Sequence, residues 1–377
     1  MTANSPPKIV FVDHTARLGG GEIALANLVE ELARREPRPV QIHVILFEEG
    51  PLADRLRKVD GVGLDVIPLA DAIHGFKKDK VGAGAVRQLP AVIGFARRLA
   101  ARLKELDADV VYCNSLKADI IGGLAGRLAG RAVVWHVRDR VEPDYLPRKV
   151  VPLFRRLARW IPHGIAANSH HTLETVRLPE KGVPRAVIYS GVNPPAEVAP
   201  EPDGPPVLGL VGRLAPWKGQ HVFLDAAAVV RKSFPDAKFR LIGAQLFGED
   251  EYADQLRARS EQPDLAGGVE FCGFTNDVWG ALSELTLVIH ASTVPEPFGQ
   301  VVVEGMAAER AVIATDGGGV RETVIDGETG VRVPMGDDAL MAREMSGAIV
   351  GLLSDPQRRR SMAKAGRERA IGQFHIR

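Results

Sequence analysis

The sequence predicts an α/β protein built of two doubly wound, Rossmann-like domains that face each other across a cleft. Three observations carry this expectation. Short β-branched runs alternate with amphipathic Ala/Leu/Arg-rich segments of helical period along the whole chain, the pattern of parallel sheets covered by helices on both faces. The alternation breaks between Asn193 and Pro206, where six prolines and no apolar period stop both a helix and a central strand. A chain of 377 residues is too long for one ordinary core and suits two domains of up to about 200 residues each. The expected division is residues 1–192, a Pro-rich linker over 193–206, and residues 207–377.

The strands expected in the first domain are Ile9–Val12, Gln41–Phe47, Val62–Ile67, Val110–Cys113, Ala132–His136, Gly164–Ala167 and Ala186–Tyr189. Those of the second are Val207–Val211, Lys238–Ile242, Val269–Cys272, Leu287–His290 and Val312–Thr315. Helical period is read at Glu22–Arg35, Val86–Leu106, Arg148–His163 and Gln300–Ala308. In doubly wound sheets the loops after the strands' C-terminal ends carry the ligand site, and this rule sorts the motifs.

With 45% hydrophobic and 25% charged residues, the composition is globular and excludes a disordered or fibrous chain. Met1–Pro7 is short and polar and has no signal-peptide core, and no run approaches the roughly 18 apolar residues of a spanning helix. Cys113 and Cys272 each end an apolar run, so both are expected to be buried, reduced thiols, and the cytoplasm is the expected compartment. Net charge is +1, yet residues 1–190 hold 29 Lys+Arg against 21 Asp+Glu (+8), leaving 19 against 26 (−7) in the remainder. A basic first half favours an anionic partner.

The strongest motif is Glu296-Pro-Phe-Gly-Gln-Val-Val-Val-Glu304, arriving just after a strand. Pro297 and Gly299 stop the loop, and the helix from Gln300 points its free N–H groups back at the cleft, a ready pyrophosphate site. Glu296 before the helix and Glu304 within it offer carboxylates for sugar hydroxyls and a ribose diol. Gly212-Arg213-Leu214 and then Lys218-Gly219 follow the strand Val207–Val211 directly.

On these two motifs the C-terminal half resembles the retaining family-four glycosyltransferases of the GT-B fold. The resemblance implies that Arg213 and Lys218 bind the diphosphate of a nucleotide-sugar donor, UDP or GDP. Two cations at a helix start can replace a metal in stabilising the departing diphosphate, so no metal and no cofactor are expected. Phe298, Gly299, Gln300, Val301 and Glu304 complete the expected donor set. Leu18-Gly-Gly-Gly-Glu22 resembles the family's N-terminal glycine-rich loop and adds Gly20 and Gly21. Its G-x-G-x-x-A spacing also fits a dinucleotide site, disfavoured because six residues separate the strand from Gly19.

His136, in Trp135-His-Val-Arg-Asp139, ends its strand, and the resemblance puts it against the transferred sugar; Arg138 and Asp139 are acceptor-side candidates. His136, Arg213, Lys218 and Glu296 form the expected catalytic set. The resemblance also implies retention at the anomeric carbon, by a front-face attack in which the donor's phosphate oxygen takes the acceptor proton. Gly317-Gly-Gly-Val-Arg-Glu322 resembles the family's glycine loop and is expected to close the donor pocket. Asp107-Ala-Asp109 precedes its strand, the wrong sheet edge for a metal motif.

Two features depart from the family. Its Asn-Gly-Val-Asp hinge reads Ser190-Gly-Val-Asn193, and relatives continue past the position of Arg377 into a helix returning to the first domain, so truncation or a reduced clasp is expected. A sugar-nucleotide epimerase and a catalytically silent binding module of the same fold are the alternatives. No nucleic-acid partner is expected. Arg148–His163 reads as a basic amphipathic helix with an apolar stripe of Val150, Leu153, Phe154, Leu157 and Ile161. Arg148, Arg155, Arg156 and Arg159 lie off that stripe. Lys77, Lys78 and Lys80 add to this face, which suits an anionic or lipid-linked acceptor, or peripheral contact with the inner membrane face.

Overall fold

The structure, a computed structural model, describes residues 6–69, 84–245 and 248–376, with the backbone alone for 84–89. It divides into two compact units, Met1–Gly191 with Ile376–Arg377, and Val192–His375.

The first unit holds a parallel seven-stranded sheet of β1 (Lys8–Asp13), β2 (Gln41–Leu46), β3 (Val62–Val66), β4 (Val110–Cys113), β5 (Ala132–Val137), β6 (Gly164–Ala167) and β7 (Arg185–Val187). Their order is β3-β2-β1-β4-β5-β6-β7. Strand order reverses between β1 and β4, so the loops after these strands diverge and leave a crevice at their C-terminal ends. Both faces of the sheet are covered. Val10 and Val12 of β1 enter one apolar cluster with Phe95, Leu99 and Trp135, while Phe11 enters another with Leu25, Val29 and Leu52.

The second unit holds β8 (Val207–Val211), β9 (Lys238–Ile242), β10 (Val269–Gly273), β11 (Leu287–His290), β12 (Ala311–Thr315) and β13 (Val331–Val333). Its parallel order is β10-β9-β8-β11-β12-β13, with the reversal between β8 and β11. Residues 193–206 form neither helix nor strand. Arg310 donates to the Ala199 and Pro200 carbonyls, and Arg359 pairs with Glu201 at 2.5 Å, fastening this segment to the second unit.

The structure departs from the sequence reading at several places. β13 went unread because Val-Arg-Val is too short to show a period. Cys272 is exposed, since its neighbour Phe271 takes the inward direction in β10. The helix expected over Arg148–His163 spans only Val150–Leu157, with turns on both sides. Its buried residues are Val151, Phe154 and the adjoining Ala158, whereas Leu153 is exposed. Arg155 turns inward to the carbonyls of Thr175 and Val141 and to Glu142. Asp107 pairs with Arg131 and Asp109 accepts from the Lys8 amide, structural tasks both. Lys77, Lys78 and Lys80 lie outside the described residues.

Candidate functional site

In the second unit the loops after β8 and β11 are joined by close backbone contacts that only glycine permits. Gly219 has φ +69°, and a Cβ there would stand 1.9 Å from the Ala291 carbonyl oxygen. This fixes the preceding turn Pro216–Lys218 against the β11 loop, where the Trp217 carbonyl also accepts from Thr293 N at 2.9 Å. Lys218 Nζ consequently reaches Glu296 Oε1 at 2.5 Å and lies 4.4 Å from the Trp217 ring centroid. The guanidinium of Arg213 stands 5.8 Å from the same ring, and its Nε is 3.5 Å from Glu249.

Glu296 is 7% exposed. Burial by itself would raise its pKa, but the Lys218 ammonium, with His290 beside it, outweighs burial and holds the carboxylate ionised well below the usual range. Ser292 Oγ donates to the same Oε1 at 2.6 Å. The glycine loop packs on this segment backbone to backbone: Gly319 N donates to the Glu296 carbonyl at 2.8 Å, and a Cβ on Gly318 would meet that oxygen at 2.0 Å.

Gly299 caps the helix Gln300–Ala307 with φ +85°. Phe298 is 3% exposed and meets Phe374 edge-on at 5.8 Å, so only its backbone faces the helix start; Gln300 and Val301 are half-buried. Glu304 is buried, with Gln300 Nε2 at 3.2 Å, and burial pushes its pKa up to about 7.

This shift has a sign. Folding favours the protonated form of Glu304, so its cost is absent below the ordinary carboxylate value, grows as pH rises toward about 7, and is complete above that. A diol hydrogen-bonds more strongly to the ionised carboxylate. If the site takes the nucleotide-sugar donor that the resemblance implies, its affinity for that donor is expected to improve between pH 6 and 8. In Glu304→Gln that pH dependence disappears, and calorimetric titration checks both.

In the first unit the crevice at β1 and β4 is lined by a second polar set. Asp13 ends β1, and its Oδ2 accepts from Asn114 Nδ2 at 2.7 Å; Asn114 Oδ1 accepts from Arg138 Nε at 2.6 Å. Arg138 also donates to Ser190 Oγ at 3.0 Å. A Cβ on Gly21 would lie 3.2 Å from Arg138 Cδ, so this glycine makes room for the arginine. Around Gly20 a Cβ would meet nothing within 4 Å. Glu22, in the first turn of the helix Gly20–Arg34, has its pKa raised to about 8 by burial and then by Asp13 and Asp139. Asp139 is half-buried and accepts from Tyr145.

His136 differs from expectation. The strand runs on to Val137, and the ring is 1% exposed, with Nδ1 2.7 Å from the Tyr112 hydroxyl. Burial, and then Arg138, push its pKa well down, so the ring is neutral. Arg138, one residue past the strand, occupies the crevice instead. Asp13, Asn114, His290, Ser292 and Trp217 were not singled out in the sequence, and Ser190 was read only as the first residue of the hinge. The strand-end rule points to Asn114, the residue after β4, but the serines and His290 carry no sequence signal of their own. Among the described residues no group of three His, Cys, Asp or Glu side chains could hold a metal ion.

A parallel sheet whose switch-point loops present two cations, a glycine-capped helix start and two buried glutamates has the arrangement of an anion-binding site in a doubly wound α/β protein. The family model for group 1 glycosyl transferases matches residues 196–369, and that for glycosyltransferase family 4 matches residues 18–195. The chain belongs to this family of glycosyltransferases.

The lipopolysaccharide core biosynthesis glycosyltransferase LpsE of Rhizobium meliloti is 30% identical over 175 residues, 46% of this chain and 47% of that protein. A phosphatidyl-myo-inositol mannosyltransferase of Mycolicibacterium smegmatis is 33% identical over 178 residues, 45% and 43% of the two chains. The chain thus spans less than half the length of these curated relatives. Anabaena HepE, solved in complex with UDP-glucose, is 26% identical with a TM-score of 0.79, covering 98% of this chain and 96% of that one. Sucrose-phosphate synthase from Thermosynechococcus elongatus shares the fold at 19% identity and a TM-score of 0.75, covering 98% and 95%.

Proposed function

We propose that the protein is a retaining, metal-independent glycosyltransferase that moves a sugar from a nucleoside diphosphate to a hydroxyl acceptor. The observation that carries this reading is the convergence of Lys218 on Glu296 at the second unit's switch point, with Arg213 and the helix start at Gly299 on the same edge. The departing diphosphate gains about one negative charge, and fixed cations with free N–H groups stabilise it without reorganisation. Glu296, already ionised, accepts sugar hydroxyls, and Glu304 accepts the ribose diol. The departing phosphate oxygen takes the acceptor proton on the face it leaves, so the anomeric configuration is kept.

The HepE complex supports a UDP-sugar donor. Arg138 and Asp139 orient the acceptor, and His136 supports that site from behind through Tyr112. Proton NMR of the product formed from an α-linked nucleotide sugar in EDTA tests the mechanism. An α-linked product is expected; a β-linked product, or strict dependence on added Mg or Mn, contradicts it.

The lipopolysaccharide and phosphatidyl-myo-inositol pathways of the relatives' names support a lipid-linked acceptor. Among the described residues no helix is long and apolar enough to cross a membrane. The segment Arg148–His163 exposes Trp160 (73%) and Leu153 (52%) beside exposed Arg148, Lys149, Arg156 and Arg159. A cytoplasmic protein meeting an anionic membrane face uses such a surface, each basic residue adding about 1 kcal/mol. Co-sedimentation with anionic but not neutral liposomes is expected, weakening with salt. Equal, salt-insensitive recovery in both supernatants contradicts membrane contact.

A further inference from the structure

The first glutamate of the donor site is held from behind by residues with no role in the reading above. His290, the last residue of β11, is 4% exposed, and Ser292, two residues on, is fully buried. His290 Nε2 is buried 3.4 Å from Glu296 Oε1 and makes no hydrogen bond of its own, and Ser292 Oγ donates to that oxygen at 2.6 Å. On the ring's other side Thr315 Oγ1, at the end of β12, stands 3.3 Å from Nδ1 and 2.9 Å from the Ser292 carbonyl. With Lys218, three groups converge on Oε1. No hydrogen bond reaches Oε2 from any described residue.

We propose that His290 and Ser292 are positioning residues that gather the protein's own donors onto Oε1 of Glu296 and leave Oε2 to take a sugar hydroxyl. The inference rests on Glu296 being a sugar-binding carboxylate. A carboxylate held through one oxygen keeps a fixed plane, so its second oxygen meets the ligand without an ordering cost. The arrangement matters most once a donor is bound. A diphosphate draws Lys218 Nζ toward itself, and His290 and Ser292 then remain on Oε1. For Nε2 to stand beside a carboxylate without lone-pair repulsion it carries its proton there.

The test uses the full chain with UDP and UDP-glucose as probes. His290→Leu is expected to lower the kcat of UDP-glucose hydrolysis by about tenfold to a hundredfold while the Kd for UDP, which lacks the sugar, changes by less than about twofold. His290→Gln, which returns an N–H donor near Nε2, recovers most of the loss, and Ser292→Ala shows a smaller loss of the same kind. A packing role would instead lower UDP affinity and thermal stability in parallel with kcat, with no rescue by glutamine. That pattern, or wild-type kcat in a folded His290→Leu protein, overturns the proposal. Nitrogen-15 NMR of the His290 ring gives a readout independent of turnover. An Nε2–H tautomer that shifts in Glu296→Gln is expected, and a ring indifferent to Glu296→Gln overturns the positioning even if no UDP-sugar is turned over. A wild-type protein that neither binds UDP nor hydrolyses UDP-glucose, yet shows the coupled ring, overturns the functional reading instead.

Discussion

Lys218→Ala lowers the turnover of a nucleotide-sugar donor by about one to three powers of ten in a protein that still folds. Two losses combine in this variant. The ammonium that would meet the departing diphosphate is gone, and with it the cation that holds Glu296 ionised against its burial. Glu296 then becomes a buried carboxylate facing only Ser292 and His290, and its affinity for a proton rises. Loss of activity should therefore be steeper on the acid side than in the wild type. Lys218→Arg keeps the charge but not the point geometry at 2.5 Å, so it recovers part of the rate. Steady-state hydrolysis of UDP-glucose by the three proteins measures this, and a wild-type rate in Lys218→Ala would sink the assignment of the diphosphate site.

The second large effect is on stability. Arg138→Met is expected to destabilise the first unit by about 3–5 kcal/mol, the range for breaking a buried charge network at one member. Arg138 is 9% exposed and ties the loop after β4 to the segment after β7 through Asn114 and Ser190. Its charge also interacts with Asp13, Glu22 and Asp119, and both Asp119 oxygens are buried without a hydrogen-bond partner. Methionine fills a similar volume, so the loss reports charge and hydrogen bonds rather than a cavity. Urea unfolding followed by the fluorescence of Trp135, buried in this unit, measures it. A change under about 1 kcal/mol would mean that the carboxylates around Arg138 are neutral in the folded protein.

Much of the fold was legible because doubly wound strands are buried on both faces and read as continuous apolar runs. β4, β6, β8, β9 and β11 fall on the residues expected for them. The donor-side motifs were legible for a related reason: glycines such as Gly219 and Gly299 mark backbone turns that local sequence declares. What the sequence hides is where a side chain at a strand end points. His136 was read as ending its strand, whereas the strand runs on to Val137, its ring is buried with Nδ1 beside Tyr112, and Arg138 hydrogen-bonds to Asn114. The helix at Arg148–His163 was overextended because Leu153 and Ile161 fit a helical stripe on paper, whereas packing selected Val151, Phe154 and Ala158. Ser292 and His290 gain meaning only because the loop after β11 folds back to bring Glu296 over them, a tertiary fact with no periodic trace.

The central claim is that cationic side chains and a helix start, not a metal, hold a nucleotide-sugar diphosphate on the second unit. Calorimetric titration of the full chain with a panel of UDP- and GDP-sugars in EDTA tests it most directly. Saturable binding of at least one nucleotide sugar, lost in Lys218→Ala and unchanged by added Mg, is the expected result. No binding across the panel in EDTA, or binding that appears only when Mg or Mn is supplied, would contradict it.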